Sequence, residues 1–373
     1  MKILFIVNWY TPKKNKVFGA GVFHYEQAMA LRQYCDIRLY WPFDTEAEEF
    51  SGEYEHDLYT YRSPWREKEN KIVWLRRTRK HFIKIIKEFK PDLLHANVAY
   101  PAGLLMLICN NRYRLPMVLT EHAPIEQMYL YNPIRRWMRG YVYRHMIKNI
   151  CVSKDSKARL EKIYPNVKYQ VIYNAVIDPE QLRDDGEKYR RDNMINCAIV
   201  AAFYDKEVKG YQYLIPAMRI LKAKGKNMVL HICGGGQYKD FYKAYADKLK
   251  VADNCIFYGQ CDRQKVYSIV RQMDFCISSS VYECSGVSVQ EEMLLGKPVL
   301  VTRSGGANSL TTKETAIVVD RNSTEALAEG IMEMMKKYNE FDQEKIRKYA
   351  RENFEISRVT ERYLGLYKES VEK

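Results

Sequence analysis

At 373 residues the chain is longer than one core usually serves, so two domains are expected. Hydrophobic residues at 47% and charged residues at 28% suit a globular protein, and no run approaches the roughly 20 apolar residues of a membrane-spanning helix. The nine cysteines stand singly, without a Cys-x-x-Cys pair, which argues for reduced buried thiols in a cytoplasmic protein and against a disulfide scaffold. A net charge of +14 calls for an anionic counterpart, and nucleic acid, a membrane surface and phosphorylated substrates all qualify.

The opening run from Met1 to Val7 meets Asn8-Trp9-Tyr10-Thr11-Pro12 with no small-residue cleavage site, so Lys2–Val7 reads as a buried strand and not as a signal peptide. A loop with Gly19-Ala20-Gly21 follows, then a helical pattern from Val22 to about Tyr34 and a strand at Ile37–Tyr40. Residues 44–70 are acidic and then mixed, without a clear period, and are expected to form an irregular excursion. Further strands are expected at Leu93–Ala96, Met117–Thr120 and Ile150–Val152, with helices over 71–90, 101–112 and 134–148.

Asp178–Asn193 holds two Asp-rich patches, a glycine and no apolar run, and marks the boundary between two halves. Beyond it strands fit Ala198–Ala202, Val229–Cys233, Cys255–Phe257, Phe275–Ser278, Pro298–Val301 and Ala316–Val319. Helices fit 210–224, 238–250, 263–272, 287–295 and 324–337. Short apolar strands alternating with helices predict an α/β protein of two Rossmann-like, doubly wound parallel-sheet domains facing a cleft. Ligands in such sheets gather at the carboxyl ends of the strands.

The most informative stretch runs from Ser278 to Val299. A strand ends near Ser278, a polar loop follows, and a helix begins near Val287. Gly286 permits a tight backbone approach, and the N–H groups from Ser285 to Val289, those of Val287 and Ser288 among them, suit a pyrophosphate at a helix N-terminus. Glu283 stands just before that anion seat and Glu291 about one turn into the helix. Two acceptors so placed suit sugar hydroxyls, one set on the transferred sugar and one on the ribose.

This string resembles the Glu–seven residues–Glu signature of the retaining glycosyltransferases of family 4 (glycosyl transferases group 1), which have the GT-B fold. The chain keeps Glu283, Glu291, Gly286, Met293, Gly296, Pro298 and Val299, and departs with Cys284 for Gly, Ser285 for Phe and Ser288 for Pro. Gly305-Gly306 resembles the glycine pair after the next strand, with Ser309 where the family often has Glu. Asn174-Ala175-Val176-Ile177-Asp178 resembles the interdomain linker, and Gly234-Gly235-Gly236 the family's Gly-x-Gly turn. Lys209-Gly210 resembles the Lys-Gly of the diphosphate clamp, whose Arg partner is replaced here by Ala201-Ala202. Either Lys206 compensates, or the phosphates rely on Lys209 and the helix dipole.

In the first half, Thr120-Glu121-His122 resembles the family's Thr-x-His, whose His lies near the transferred sugar, and His95 occupies another frequent position. Gly19 and Gly21 would let backbone approach phosphate or acceptor. The resemblance thus implies an acceptor-binding domain over 1–178, a nucleotide-sugar domain over 179–353 and a last helix over 354–373 packing back on the first domain. Glu283 and His122 would be catalytic, in a front-face reaction without metal or other cofactor. UDP-sugars come before GDP-sugars as donors, and the acceptor would be a glycan or lipid-linked glycan of the bacterial envelope.

The positive charge concentrates on the helices at 71–90 and 134–148, with Trp74 and Trp137 among their cations. A basic solvated face is one reading; docking on anionic lipid at the inner face of the cell membrane is the other. A nucleotide-sugar 2-epimerase shares the fold and is the alternative enzyme. A dinucleotide oxidoreductase lacks its full Gly-x-Gly-x-x-Gly here, and a nucleic-acid binder lacks any helix-turn-helix, zinc or RNA-recognition string.

Overall fold

The structure, a computed structural model, describes residues 1–10, 22–128 and 130–372. Gly19 and Gly21 therefore lie outside the described residues. The chain divides into two compact units, Met1–Ala175 with Ile356–Lys373, and Val176–Glu355.

In the first unit the order is β1 (Lys2–Ile6), α1 (Val22–Arg32), β2 (Asp36–Asp44), β3 (Ser51–Glu55), β4 (Leu58–Pro64), α2 (Lys71–Phe89), β5 (Leu93–Asn97), α3 (Leu104–Asn110), β6 (Met117–Glu121), α4 (Pro133–Arg144), β7 (Lys148–Cys151), α5 (Lys154–Ile163) and β8 (Tyr169–Val171). The sheet runs β3-β4-β2-β1-β5-β6-β7-β8, parallel throughout except for β3. Its strands are apolar on both faces: Leu4 and Ile6 pack with α2 and α3 residues, and Ile3 and Phe5 with α1. Thr78, Phe82, Ile85, Ile86 and Phe89 form the buried stripe of α2, and Asn70 caps its first turn by accepting from the Ile72 amide.

Residues 44–70 are not irregular. They hold the hairpin of β3 and β4, and β4 extends the sheet beside β2. Buried polar residues hide it from a hydrophobic pattern. Arg62 is 2% exposed and ion-pairs with Asp44 at 2.7 Å and Glu55 at 2.6 Å, while Ser63 meets the Tyr40 hydroxyl at 2.9 Å.

The second unit runs β9 (Ile195–Val200), α6 (Tyr211–Ala223), β10 (Met228–Cys233), α7 (Lys239–Lys248), β11 (Cys255–Gly259), α8 (Arg263–Arg271), β12 (Phe275–Ser278), α9 (Val287–Leu294), β13 (Val299–Thr302), α10 (Gly306–Ser309), β14 (Ala316–Val319), α11 (Thr324–Lys337) and α12 (Gln343–Phe354). Its six strands are all parallel, in the order β11-β10-β9-β12-β13-β14. The polar run 185–190 is fastened to this unit: the Asp185 amide donates to Ser268 Oγ at 2.9 Å and Arg190 pairs with Asp274 at 2.7 Å.

The last helix, α13 (Ile356–Val371), belongs to the first unit. Buried His95 hydrogen-bonds to the Tyr367 hydroxyl at 2.7 Å through Nδ1 and to Thr120 Oγ1 at 2.8 Å through Nε2, and Tyr363 reaches the same Thr120 at 3.1 Å. The structure thus bears out the two parallel-sheet domains and the helix that returns to the first.

Candidate functional site

The site in the second unit is built where β9, β12 and β13 end. After β12 the segment Ser279–Val281 lies alongside Val208–Gly210: the Val281 amide donates to the Val208 carbonyl at 2.8 Å, and Ser279 Oγ to the Lys209 carbonyl at 2.7 Å. Gly210, at φ +70°, makes this approach possible, because a Cβ there would stand 1.8 Å from the Ser279 carbonyl oxygen. The other side of the loop is held by the glycine pair. The Glu283 amide donates to the Ser304 carbonyl at 2.9 Å and the Gly306 amide to the Glu283 carbonyl at 2.8 Å, so close that a Cβ on Gly306 would meet the Cys284 carbonyl carbon at 2.3 Å.

These contacts bring Lys209 and Glu283 together. The ammonium ion-pairs with Glu283 Oε1, which also accepts from Ser280 Oγ at 3.0 Å. A small recess beside them is lined by Val200, Ala201, Lys209, Ser280, Glu283 and Ser288. Gly286, at φ +99°, turns the chain into α9, whose first residues are Val287 and Ser288. A cation, a carboxylate and the free N–H groups of a helix start thus surround one recess, an arrangement suited to a diphosphate with a hydroxyl-bearing group next to it. Lys206 does not reach this recess: its ammonium sits 4.4 Å from the centroid of the Phe241 ring. Of these two lysines, Lys209 is the one that lines the recess, beside Ala201 and Ser288.

Glu291 lies further along α9, held from α8: the Tyr267 hydroxyl donates to its Oε1 at 2.9 Å and Arg263 Nε stands 3.5 Å away. Neighbouring Glu292 points the other way into the core. It is 2% exposed, and neither of its carboxyl oxygens has a hydrogen-bond partner among the described residues. Burial, and then the charge of Glu291, hold its pKa well above the usual carboxylate range, so it keeps its proton to higher pH than an exposed carboxyl does.

His122 belongs to the first unit. It is 8% exposed, its Nε2 hydrogen-bonds with Asn97 Oδ1 at 3.1 Å, and its ring meets that of His24 edge-on at 5.0 Å. Burial lowers its pKa to about 3, so the imidazole is neutral through the physiological range and offers hydrogen bonds, not charge. Adjacent Glu121 is structural: it accepts from the Ala99 amide at 3.1 Å and the Tyr143 hydroxyl at 2.7 Å. His95 is likewise committed on both ring nitrogens, to Tyr367 of α13 and to Thr120 of β6.

Of the residues singled out in the sequence, Glu283, Lys209 and Ser288 line one recess, and Gly286, Val287 and Glu291 lie at the turn into the same helix and along it. Three participants went unread there: Ser280, Tyr267 and Arg263. The spacing of Arg263 and Tyr267, four apart on one helix, was the available signal. Among the described residues no group of three or more His, Cys, Asp or Glu could hold a metal ion, and no helix is long and apolar enough to cross a membrane.

Comparison with known proteins gives the chain a family. Two family profiles match in succession, Glycosyltransferase Family 4 over residues 17–180 and Glycosyl transferases group 1 over residues 185–353. The chain belongs to this glycosyltransferase family, and it is a transferase of the GT-B type. An uncharacterized glycosyltransferase of Methanocaldococcus jannaschii is 28% identical over 72% of this chain and 71% of its own. The alpha-monoglucosyldiacylglycerol synthase of Streptococcus pneumoniae is 24% identical over 61% of this chain and 55% of its own. A Bacillus subtilis glycosyltransferase whose name ties it to teichuronic acid biosynthesis is 23% identical over 89% and 88%. Among solved structures, sucrose-phosphate synthase from Thermosynechococcus elongatus has a TM-score of 0.82 at 16% identity, covering 99% of both chains. HepE of Anabaena, solved with UDP, has a TM-score of 0.78 at 17% identity, covering 99% of this chain and all of its own at 100%.

Proposed function

We propose that this protein is a retaining hexosyltransferase that moves a sugar from a nucleotide sugar, UDP-linked in preference to GDP-linked, to a lipid-linked glycan in bacterial cell-surface polysaccharide synthesis. The observation that carries the reading is the Lys209–Glu283 ion pair at the head of α9. The diphosphate would lie on the amides of Val287 and Ser288 with Lys209 over it, and the Glu291 carboxylate would accept from the ribose hydroxyls. Glu283 would orient the donor sugar. In the front-face reaction the bond from the anomeric carbon to the diphosphate oxygen breaks while the acceptor oxygen bonds on the same face. The acceptor proton passes to the leaving diphosphate, and Lys209 balances the charge that develops there. His122, neutral, would hydrogen-bond a sugar hydroxyl. No metal or organic cofactor is assigned.

The names of relatives support the donor and the setting. HepE is described in complex with UDP-glucose, and the pneumococcal relative's name is that of a glycolipid synthase. The first unit would take the acceptor. Its helix α4 supports a place at the inner face of the cell membrane, for Ile134, Trp137 and Tyr141 are exposed on one side among Arg135, Arg136 and Arg144. On α2 the cations remain available, but Trp74 is not at the surface end: it packs 5.6 Å from Phe43 and 5.0 Å from Trp65.

The test is incubation with UDP-glucose, UDP-galactose, UDP-N-acetylglucosamine and GDP-mannose, ranked by thermal shift and then by hydrolysis of the best binder. Release of the α-anomer from an α-linked donor supports retention. Release of the β-anomer, or appearance of an epimerised nucleotide sugar, contradicts the reading.

A further inference from the structure

We infer that the second unit carries a second, saccharide-binding groove beside the catalytic loop, for glycan residues beyond the sugar being transferred. The inference rests on the transfer reaction proposed above. The groove, of about 540 Å³, lies between α6 and α7 and is lined by Lys206, Gln212, Tyr213, Phe241, Tyr245 and Val281. That volume falls within the range of small-molecule sites, roughly 300–1,000 Å³.

Its floor is aromatic: Tyr213 and Tyr245 pack in part against the core of the unit, and Phe241 stands outside that core. Phe241 is 47% exposed, and its ring runs nearly parallel to that of Tyr245 one turn later, with centroids 6.4 Å apart and planes at 23°. Tyr213 adds a third, half-buried ring. A polar rim stands over this floor. The Gln212 amide is fixed, its Nε2 donating to the Glu207 carbonyl at 2.9 Å and its Oε1 accepting from the Tyr242 hydroxyl at 3.3 Å. Lys206 crosses one edge with its charge over Phe241, and the Glu207 carboxylate lines the same groove. One cation and one anion leave the rim without net charge, so it does not fit a phosphate, an anionic lipid or a nucleic acid.

A pyranose has the complementary surface. Its C–H face packs on the negative face of an aromatic ring, and its equatorial hydroxyls meet amide, carboxylate and ammonium groups around the edge. Position gives the ligand its relation to catalysis. Val281 forms the groove's edge two residues before Glu283, and its amide bond to the Val208 carbonyl belongs to the pairing that sets Lys209 against Glu283. A glycan held here leaves the reacting atoms alone. It acts on the affinity for long chains and not on the turnover of the donor.

The experiment uses the full chain with hexasaccharides of α1,4-glucose, β1,4-glucose and β1,4-N-acetylglucosamine as probes, read by saturation-transfer NMR and titration. UDP is titrated on the same samples, so that failure of the donor-site reading is seen separately. At least one hexasaccharide is expected to bind and to stay bound when UDP is saturating. The double substitution Phe241→Ala with Tyr245→Ala weakens it about tenfold or more while UDP affinity holds. Single Phe241→Ala, at an exposed position, serves if the double variant loses its fold. The inference is overturned if no hexasaccharide binds at about 10 mM, a millimolar-affinity limit. It is equally overturned if the variants bind like the parent, or if UDP displaces the glycan.

Discussion

Lys209 and Glu283, 74 positions apart in sequence, form an ion pair at the head of α9, and Ser280 donates to the same carboxylate oxygen. Each partner keeps some exposure, so the pair is open to exchange with a ligand. In the proposed reaction a diphosphate, with its larger negative charge, takes over Lys209, and Glu283 turns to the sugar. The free pair therefore stores both groups in place without a buried, unmatched charge.

The ribose assignment is tested through Glu291 and the group that holds it. Glu291→Ala removes a charged acceptor, worth about 1.5–3 kcal/mol, and UDP should bind about 10- to 100-fold more weakly by calorimetric titration. Tyr267→Phe removes only the hydroxyl that orients Glu291, at 2.9 Å, and should cost less. A loss of about 0.5–1.5 kcal/mol, threefold to tenfold, is expected.

Fastening of α13 to the first unit should depend on His95. Tyr367→Phe leaves the buried His95 Nδ1 without its partner at 2.7 Å. A cost of about 1–3 kcal/mol is expected, read as lower Tm and as faster amide exchange within 356–371. His95→Ala should do at least as much, since it takes the partner of the Tyr367 hydroxyl and leaves Thr120 Oγ1 with Tyr363 alone, at 3.1 Å.

Glu292 gives the fold a pH dependence of definite sign. Its folded pKa lies well above the model-compound value of 4.5, so the native state binds a proton that the unfolded chain has lost. Its contribution to stability is full below the unfolded pKa and is lost as pH rises toward the folded pKa. Glu292→Gln keeps the shape without the titration. The variant should match the parent near pH 4.5 and exceed its Tm at pH 8, in melting curves taken across that range.

Much of the site was legible because its parts are contiguous. Glu283, Gly286 and Glu291 fall within one loop and helix, and Lys209-Gly210 follows a strand as a unit. What joins these parts was not legible. The pairing of Lys209 with Glu283 needs the segment 208–210 laid against 279–281, and local pattern carries no information on that approach. The hairpin over 51–64 escaped for a related reason, since Arg62 is buried among carboxylates and reads as a surface residue. His95 resembles a frequent position of the family, but nothing local shows that its partner Tyr367 lies 272 positions away on the last helix. The alternation of apolar strands and helices, by contrast, survived because each strand is covered on both faces.

Membrane docking is tested on α4, where Trp137 is 62% exposed, Ile134 67% and Tyr131, just before the helix, 83%. The parent should sediment with vesicles containing anionic phosphatidylglycerol and not with neutral phosphatidylcholine vesicles. Trp137→Ser with Arg135→Gln and Arg136→Gln should lose most of this binding, at about 1 kcal/mol per cation near the surface, with UDP affinity unchanged. Equal binding of parent and variant would place the contact elsewhere.

The most direct measurement is the hydrolysis rate of the best-binding nucleotide sugar by Glu283→Gln at saturating donor. The proposed role predicts a rate about 100- to 1,000-fold below that of the parent, the scale of losing a group that acts on the transition state, with UDP bound within about threefold of the parent's affinity. A variant that hydrolyses the donor at the parent's rate would contradict the assignment of Glu283, and with it the account of this site.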